Sequence, residues 1–522
     1  MNYKVVLYNL ALLCTITFYG QTSLECDLVQ LTKWTLDKSP VIQQNELLIQ
    51  NAEGSVRIQR SIFDYQLTAG FSLSKDKNYL FDGDPRNSVI DTDIIETNTT
   101  GFSLGLQRRF RVGLLAAVEL DYDQLSDDFT LNQFGQQVNP FLSNHTVSST
   151  LSLTQPLIRG RGTKVTTALE KASLLQLKSN ENNYEFTSSL ELAQMAIAYW
   201  QYLAAYKNTI IFKENEERVR NVLQITEELV KADKKPAGDL IQIKADLANQ
   251  ERQTTLAKQD LHNTRLNLGR VIGLSDTDSE LLGVPKNGFP TIEESGFETG
   301  LITKSMIEIA SKNRKDLEAF EKNKESAELQ LNLANNNLKP QLDLTGFATY
   351  GGMNMGNGLD QAFNTLSNRQ GRNYGVGLRL NFSFPLNNNL AKGNYTLSKT
   401  TLRDQEIGYN DLQRNIDLNV NIAVNNLKNY VLVLEKAAET LKHSKEVFKN
   451  EQIKFRNGLT TILNLILFQE RLTFAQRDYL LAKQQFAVAI VNLRFETGTL
   501  ISMTDNTVSS VIDTSIFYSI PK

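Results

Sequence analysis

Long stretches of the chain repeat apolar residues at helical spacing and contain neither glycine nor proline. These stretches are residues 163–235, 239–268, 409–457 and 459–497. Within the first of them, apolar positions from Leu190 onwards recur mainly three or four residues apart, as one face of a helix requires. A helix of about 70 residues is about 100 Å long, far longer than helices of globular domains. The pattern predicts coiled coils or a helical tube.

Other segments alternate apolar and polar residues, which is the pattern of a strand with two different faces. Apolar residues occupy the odd positions of 65–73 and the even positions of 374–384. Two further runs, 102–107 and 112–121, alternate in the same way and are joined by the basic turn 108–111. Strands of outer-membrane barrels show about ten residues of such alternation, and so do half-buried strands of soluble sheets.

The order of these elements occurs twice along the chain. Residues 40–67 align without a gap with residues 315–342, and residues 239–241 align with residues 464–466. Each half therefore predicts a helix, strands, a long helix, a turn and a second helix. The predicted domains are a first repeat at 21–272, a linker rich in glycine, proline and acidic residues at 273–300, a second repeat at 301–500, and a C-terminal tail at 501–522.

The composition and the N-terminal residues give information about the cellular location of the protein. Residues 1–20 have a short basic start, an apolar run and a plausible cleavage point, which predicts a signal peptide. No later stretch has about 20 uninterrupted apolar residues, so no transmembrane helix is predicted. The formal net charge of −3 does not favour binding to nucleic acid.

No residues with catalytic or cofactor-binding spacing are found. Only two cysteines occur, Cys14 and Cys26, so neither a disulfide framework nor a cysteine-based zinc site is expected. The three histidines are scattered, and His145 lies in a polar segment, which predicts surface residues rather than ligands. We expect no catalytic residues, no metal and no cofactor.

Four segments, in order, resemble the TolC-like outer-membrane efflux proteins. "LTQPLIRGRG" at 153–162 is similar to the family's strand-to-helix junction, and "LKPQLDLTGFATYGG" at 338–352 is similar to the entry to a second-half strand. "KADKKPAGDLIQIKADLA" at 231–248 resembles the first periplasmic turn, and the segment at 455–498, which begins "FRNGLTTILNLILFQERL", resembles the second turn and final helix. The strand-to-helix junctions would contain Pro156, Gly160 and Pro385.

The resemblance implies a mainly α fold with a transmembrane β-barrel portion. Three copies would close one barrel in the outer membrane of a Gram-negative bacterium, and their helix pairs would close a long periplasmic tunnel. The C-terminal tail would lie in the periplasm. One chain alone would leave open strand edges in lipid, so closure needs further copies.

The implied function is an exit duct, not an enzyme, for a tripartite efflux pump or a type I secretion system. It would pass small toxic solutes or polypeptide. The implied partners are a homotrimer, a periplasmic adaptor (membrane fusion) protein, an inner-membrane pump of the RND or ABC type, and outer-membrane lipid. A secreted coiled-coil surface protein, such as an adhesin or stalk, is the alternative; it accounts for the helices but not for the duplicated strands.

The bend after Phe455 is unusually apolar for a turn between helices. The resemblance makes it the periplasmic end of the tunnel, where an adaptor docks. The expected docking residues are Gly458, Leu459, Ile462, Leu463, Leu465 and, in the first turn, Pro236. Packing of these apolar residues on residues 236–243 is an alternative that is compatible with docking.

The tunnel mouth departs from the family pattern. The positions aligned with the family's acidic and linking residues are Asn464, Leu467, Thr460 and Phe455, and only Asp239 keeps an acid. A mouth closed by apolar contacts is therefore expected, in place of a strongly cation-binding ring.

The segment 102–121 leaves open how many strands each chain contributes to the barrel. The family precedent of about 12 strands in the trimer favours a hairpin outside the membrane or folded towards the pore. In the alternative the hairpin lies in the barrel wall, because outer-membrane barrels have short periplasmic turns and long outer loops. Each chain would then supply six strands, and the trimer about 18.

Overall fold

The computed structural model of the protein describes residues 24–88, 93–129, 142–297, 301–358, 360–367, 372–501 and 514–521. The predicted signal peptide lies outside these residues. The strands are β1 (Leu24–Cys26), β2 (Tyr65–Tyr79), β3 (Ile94–Arg109), β4 (Leu115–Asp127), β5 (Asn144–Pro156), β6 (Leu282–Pro285), β7 (Gln341–Met355) and β8 (Arg372–Ser383).

The helices alternate between short elements and four long ones. They are α1 (Leu28–Lys38), α2 (Pro40–Ser61), α3 (Thr163–Thr166), α4 (Ala168–Lys231), α5 (Gly238–Ile272), α6 (Asp276–Glu280), α7 (Ile292–Ser295), α8 (Thr303–Asn313), α9 (Lys315–Asn337), α10 (Asp360–Ser367), α11 (Asn389–Arg456) and α12 (Ile462–Glu496). Short 3₁₀ turns occupy Pro85–Ser88 and Thr514–Phe517. Among the described helices, none has both the length and the apolar character needed to cross a membrane.

The predicted long helices are confirmed. Helices α4 and α11 have 64 and 68 residues, and each is followed by a helix of 35 residues. Helix α11 begins about 20 residues before the stretch that lacks glycine, because the helix tolerates single glycines at moderate cost. At Gly408 a side chain would not fit easily, since an added Cβ would lie 3.0 Å from Cε1 of Phe320.

The first compact unit comprises the described residues within Met1–Ile49, Asn180–Ala319 and Tyr409–Lys522. Its largest buried side chains are Tyr199, Trp200 and Tyr202 of α4. The segment predicted as a linker is folded onto this core: β6 pairs in parallel with β1, and the ring of Phe289 lies 5.6 Å from that of Trp200. The described end of the C-terminal tail also joins the core, because the Trp200 ring meets that of Tyr518 edge-on at 5.7 Å.

A buried cluster of charges ties α9 to the end of α12 within this unit. Arg314 donates to Asp316 Oδ2 at 2.7 Å and to Glu496 Oε2 at 3.0 Å, and its side chain is 7% exposed. The rings of Phe186 and Phe495 lie 5.1 and 5.4 Å from the guanidinium carbon. Burial raises the pKa of Glu496, although the charge of Arg314 opposes this shift.

The second compact unit comprises Gln50–Ser179 and Phe320–Gly408. It contains a six-stranded antiparallel sheet in the order β2-β3-β4-β5-β7-β8. The first-half hairpin is therefore paired within the sheet, between β2 and β5. The ladder pairs β3 with β2 from Arg108 opposite Tyr65 to Ile94 opposite Tyr79.

The connections to α2, α3, α9 and α11 and the basic turn lie at one end of this sheet. Strands β2 and β7 begin there after α2 and α9, and β5 and β8 end there before α3 and α11. The register brings the turn between β3 and β4 to the same end of the sheet. The opposite ends are joined by the longer segments 80–93, 128–143 and 356–371, which is the arrangement of outer-membrane barrels.

Candidate functional site

The turn between α11 and α12 is defined by two local signals. Gly458 ends α11 in the left-handed conformation, with φ of +73°. Three residues later, Thr461 caps α12, because its Oγ1 accepts the N–H of Asn464 at 3.3 Å. The polypeptide chain therefore reverses direction within about five residues.

Apolar residues at this turn divide into buried and exposed sets. Ile462 and Leu465 are 2% and 1% exposed and pack with Phe455 and with Ile243 of α5. The expectation that Ile462 and Leu465 are exposed for docking is wrong, because consecutive turns of α12 direct both side chains into the core of the hairpin. Leu459 and Leu463 are 75% and 59% exposed, and Gly458 and Pro236 are also exposed.

Polar contacts join the two turns. Lys235, from the turn between α4 and α5, donates to the carbonyl oxygen of Thr460 at 3.0 Å, and its ammonium lies 5.1 Å from the Phe455 ring centre. The Thr460 hydroxyl donates to the carboxylate of Glu451. This hydrogen bond lowers the pKa of Glu451. Asn464 donates from Nδ2 to Thr460 Oγ1 at 3.3 Å.

The remaining residues expected at the mouth occupy the surface of the two turns. Asp239 is partly exposed in the first turn of α5, and Leu467 is 42% exposed on α12. Sequence reasoning missed Lys235 and Glu451, which form the polar link, and Ile241, which is 75% exposed on α5. A mouth closed by apolar contacts stays a prediction.

The strand-to-helix junctions are held by asparagine side chains of the sheet unit. Pro156 ends β5, and the N–H of Gly160 donates to Asn336 Oδ1 at 2.8 Å. Gly160 has φ of +77°, which favours glycine. Pro385 follows β8, and the Asn388 side chain then donates to the Leu338 carbonyl at 3.1 Å.

The basic turn between β3 and β4 contacts the start of α4. Arg111 forms two hydrogen bonds with the Glu170 carboxylate, at 3.0 and 2.7 Å, and lies over the ring of Phe63 at 4.9 Å. The Arg111 guanidinium lowers the pKa of Glu170. These contacts hold the turn at the end of the sheet where the strands connect to α2, α3, α9 and α11.

The two faces of the sheet differ in polarity. Leu67, Leu106, Val118, Leu151 and Val376 lie on one face, and all are at least 44% exposed. The other face carries small and polar residues in the alternate positions, such as Ser103 of β3 and Thr150 of β5. Such a sheet matches the wall of a water-filled membrane barrel, which is apolar towards lipid and polar inside.

The strands continue beyond this apolar band towards the longer loops. Lys75 and Lys77 contact Glu96 across the β2–β3 ladder at 2.8 and 2.5 Å. His145 is fully buried on β5, with Nδ1 2.9 Å from the Tyr122 hydroxyl and Nε2 2.9 Å from the Gly356 carbonyl oxygen. The prediction of a surface histidine at 145 is therefore wrong. In the described part of the chain, no three His, Cys, Asp or Glu side chains are placed to hold a metal ion.

Comparisons with known proteins agree with this geometry. The structure is similar to the Campylobacter jejuni CmeC outer membrane channel, with a TM-score of 0.63 and 16% identity over 90% of this chain and 85% of that chain. It is also similar to the outer membrane protein VceC of Vibrio cholerae, with a TM-score of 0.62 and 14% identity over 90% and 96% of the two chains. For the open state of the Neisseria gonorrhoeae MtrE outer membrane channel, the TM-score is 0.58 and the identity 14%, over 90% and 88%.

The fold is thus that of the outer-membrane channels with long helical hairpins. Residues 306–499 match the sequence profile of the family described as Outer membrane efflux protein. No curated protein sequence is significantly similar to the chain. The comparisons therefore show the fold of these outer-membrane channels and, over residues 306–499, a match to the Outer membrane efflux protein family.

Proposed function

We propose that the protein is the trimeric exit duct of a tripartite efflux pump or a type I secretion system. Small toxic solutes or polypeptide would pass through it without chemical change. The pump in the inner membrane, of the RND or ABC type, would supply the energy, and a periplasmic adaptor would join the pump to the duct. The proposal includes the domain boundaries predicted from the sequence: repeats at 21–272 and 301–500, a linker at 273–300 and a tail at 501–522.

The observation that carries this proposal is the exposed apolar surface at the turns, which consists of Ile241, Leu459 and Leu463. Each of these side chains is more than half exposed, although a solvated turn is normally polar. Exposed apolar groups that cluster on a soluble surface mark sites of protein association. The polar link between Lys235 and Thr460 holds the two turns together.

The alternative of a coiled-coil surface protein accounts for the long helices but not for the sheet. The row of exposed apolar side chains on the six-stranded sheet would be costly in water. A lipid environment removes this cost, and the trimer removes the open edges.

We expect Leu463→Asp to lower adaptor recovery at least tenfold without unfolding the duct. Burying a leucine is worth about 1.5–3 kcal/mol, and about 1.4 kcal/mol corresponds to a factor of ten in affinity. The measurement is affinity purification of the tagged duct from cross-linked cells, with the adaptor identified and quantified by mass spectrometry.

Asn457→Asp is the matched control. Asn457 is an exposed residue of the same turn; the substitution adds the same charge and removes no apolar side chain, so adaptor recovery should remain near the wild-type level. Size-exclusion chromatography of each variant shows whether the assembly is intact. Normal adaptor recovery with intact Leu463→Asp protein would contradict docking at this turn.

A further inference from the structure

We propose that the β3–β4 hairpin is part of the membrane wall, and that three copies close an 18-stranded barrel by pairing β2 of one copy with β8 of the next. The proposal rests on the trimer of the proposed function and goes beyond it in the construction and width of the outer pore. Three copies of a six-stranded sheet supply the 18 strands.

The hairpin is bonded into the sheet along its length. Strand β3 pairs with β2 over all residues from Tyr65 to Tyr79, and β4 pairs with β5 from Leu115 to Leu125. A hairpin that projected from the membrane or folded into the pore would have to break both ladders. Each broken backbone hydrogen bond would destabilise the sheet, and more so where no water can replace it.

One row of the register crosses all six strands with apolar residues. In spatial order it runs Leu67, Leu106, Val118, Leu151, Ala348 and Val376. The hairpin supplies the second and third of these positions. Because its side chains lie in the same row as those of the other four strands, the hairpin belongs to the same lipid-facing band.

The two edge strands fit a second copy of the chain. Strand β2 leads away from α2, whereas β8 leads into α11, so they run in opposite directions. Strand β2 is exposed along its whole length, and neither edge strand has a second strand partner among the described residues. Antiparallel pairing of β2 with β8 of a neighbouring copy continues the alternation, keeps the apolar face outside and removes the unpaired edges that lipid does not tolerate.

The extra strands enlarge the outer pore. Barrel diameter grows roughly linearly with strand number, so 18 strands give a barrel about 1.5 times as wide as 12. Barrels of about 16–18 strands keep an open aqueous channel. The wall would therefore admit bulkier cargo than the family precedent allows at the outer exit.

Spin labels on neighbouring residues of β4 test the position of the hairpin. Single cysteines replace Val118, on the apolar face, and Glu119, on the polar face, in the full chain reconstituted in lipid vesicles. Of the two native cysteines, Cys14 lies in the predicted signal peptide, and Cys26 is fully buried, which also raises the pKa of its thiol to about 12, so labelling is directed to the introduced cysteines. We measure collision of each label with oxygen, which partitions into lipid, and with a water-soluble nickel chelate.

We expect the label at 118 to favour oxygen and the label at 119 to favour the nickel chelate. Leu378→Cys and Arg379→Cys on β8 are the matched control pair, because β8 lies in the wall under every arrangement. Equal access of nickel to 118 and 119, while 378 and 379 still alternate, would overturn the placement of the hairpin.

Disulfide cross-linking tests the closure. Ser72→Cys on β2 is combined in turn with Asn373→Cys, Arg379→Cys and Asn381→Cys on β8, all on the polar face. We expect at least one pair to link separate chains, and failure of all pairs in an intact trimer would overturn the β2–β8 contact. A monomer by sedimentation would instead refute the trimer of the proposed function, and loss of adaptor binding would leave both wall tests unaffected.

Discussion

Replacing Arg314 with methionine is expected to lower the free energy of unfolding by about 3–5 kcal/mol, the usual cost of removing one partner from a buried ion pair. The methionine fills much of the space but leaves the carboxylates of Asp316 and Glu496 without their cation. Both carboxylates lie in a region where Arg314 itself is only 7% exposed. Denaturant unfolding in detergent measures the loss, because both tryptophans, Trp34 and Trp200, lie in the same compact unit as Arg314.

Two controls separate the ion cluster from a general loss of charge. Arg403→Met removes an arginine whose side chain is 71% exposed and paired with Glu406, and it should cost no more than about 1 kcal/mol. The combination Arg314→Met, Asp316→Asn and Glu496→Gln should regain part of the lost stability, since no buried charge is then left unpaired. Equal stability of Arg314→Met and Arg403→Met would contradict the role given to the cluster.

The cost of Arg314→Met is expected to fall at acidic pH. The folded-state pKa of Glu496 is raised above its ordinary value of 4.5, and loss of the arginine charge raises it further. A raised carboxyl pKa means that the folded state binds more protons, so stability falls as pH rises through the window above 4.5. The difference between variant and wild type should therefore shrink as pH is lowered from 8 towards 4.5, and a constant difference would contradict this assignment.

The long helices and the alternating strands could be predicted because each depends on local sequence. Absence of glycine and proline marked the hairpin helices, and alternation at 65–73 and 374–384 marked strands β2 and β8. The alternation at 102–121 also marked strands β3 and β4. Family precedent favoured a smaller wall, whereas the register of the sheet includes both strands.

The surface of the hairpin turns could not be predicted from periodicity. Apolar residues lie on several sides of α12 near Ile462, so the spacing does not distinguish the buried Ile462 from the exposed Leu463. The link between Lys235 and Thr460 joins residues 225 positions apart, and no local signal indicates it. His145 is buried for a similar reason, because its partners come from β4 and from the segment after β7.

A line of carboxylates on β4 is expected to make the polar face of the sheet favour cations. Glu119, Asp121 and Asp123 occupy alternate positions of this face. Gly105 and Gly101 stand directly opposite the first and last of them on β3, and glycine provides no side chain that could cover a carboxylate. The hairpin that adds strands to the proposed wall would thus also bring three negative charges per chain to the lumen.

Charged thiol reagents measure this effect at a single place. Ser103→Cys puts a thiol directly opposite Asp121 on the same face, at about 5 Å between Cβ atoms. We expect neutralisation by Glu119→Gln, Asp121→Asn and Asp123→Asn to lower the ratio of labelling rates for a cationic and an anionic methanethiosulfonate about tenfold. Each screened charge changes the activation free energy of labelling by a few tenths of a kcal/mol, in opposite directions for the two reagents. Summed over three charges, the difference between the reagents is about 1.4 kcal/mol, which corresponds to a factor of ten in the ratio of rates.

Asn373→Cys on β8 is the matched control for this experiment. It lies on the polar face three strands from β4 within one chain, at about 14 Å, beyond the screening length of about 8 Å at physiological salt. In the proposed barrel the β8 of the neighbouring copy is also three strands away. The ratio at 373 should therefore change less than about twofold, and an unchanged ratio at 103 would show that these carboxylates do not set the potential of the face. Because the reagents report the potential beside the thiol, the ratio of labelling rates does not depend on whether the tunnel mouth is open or closed.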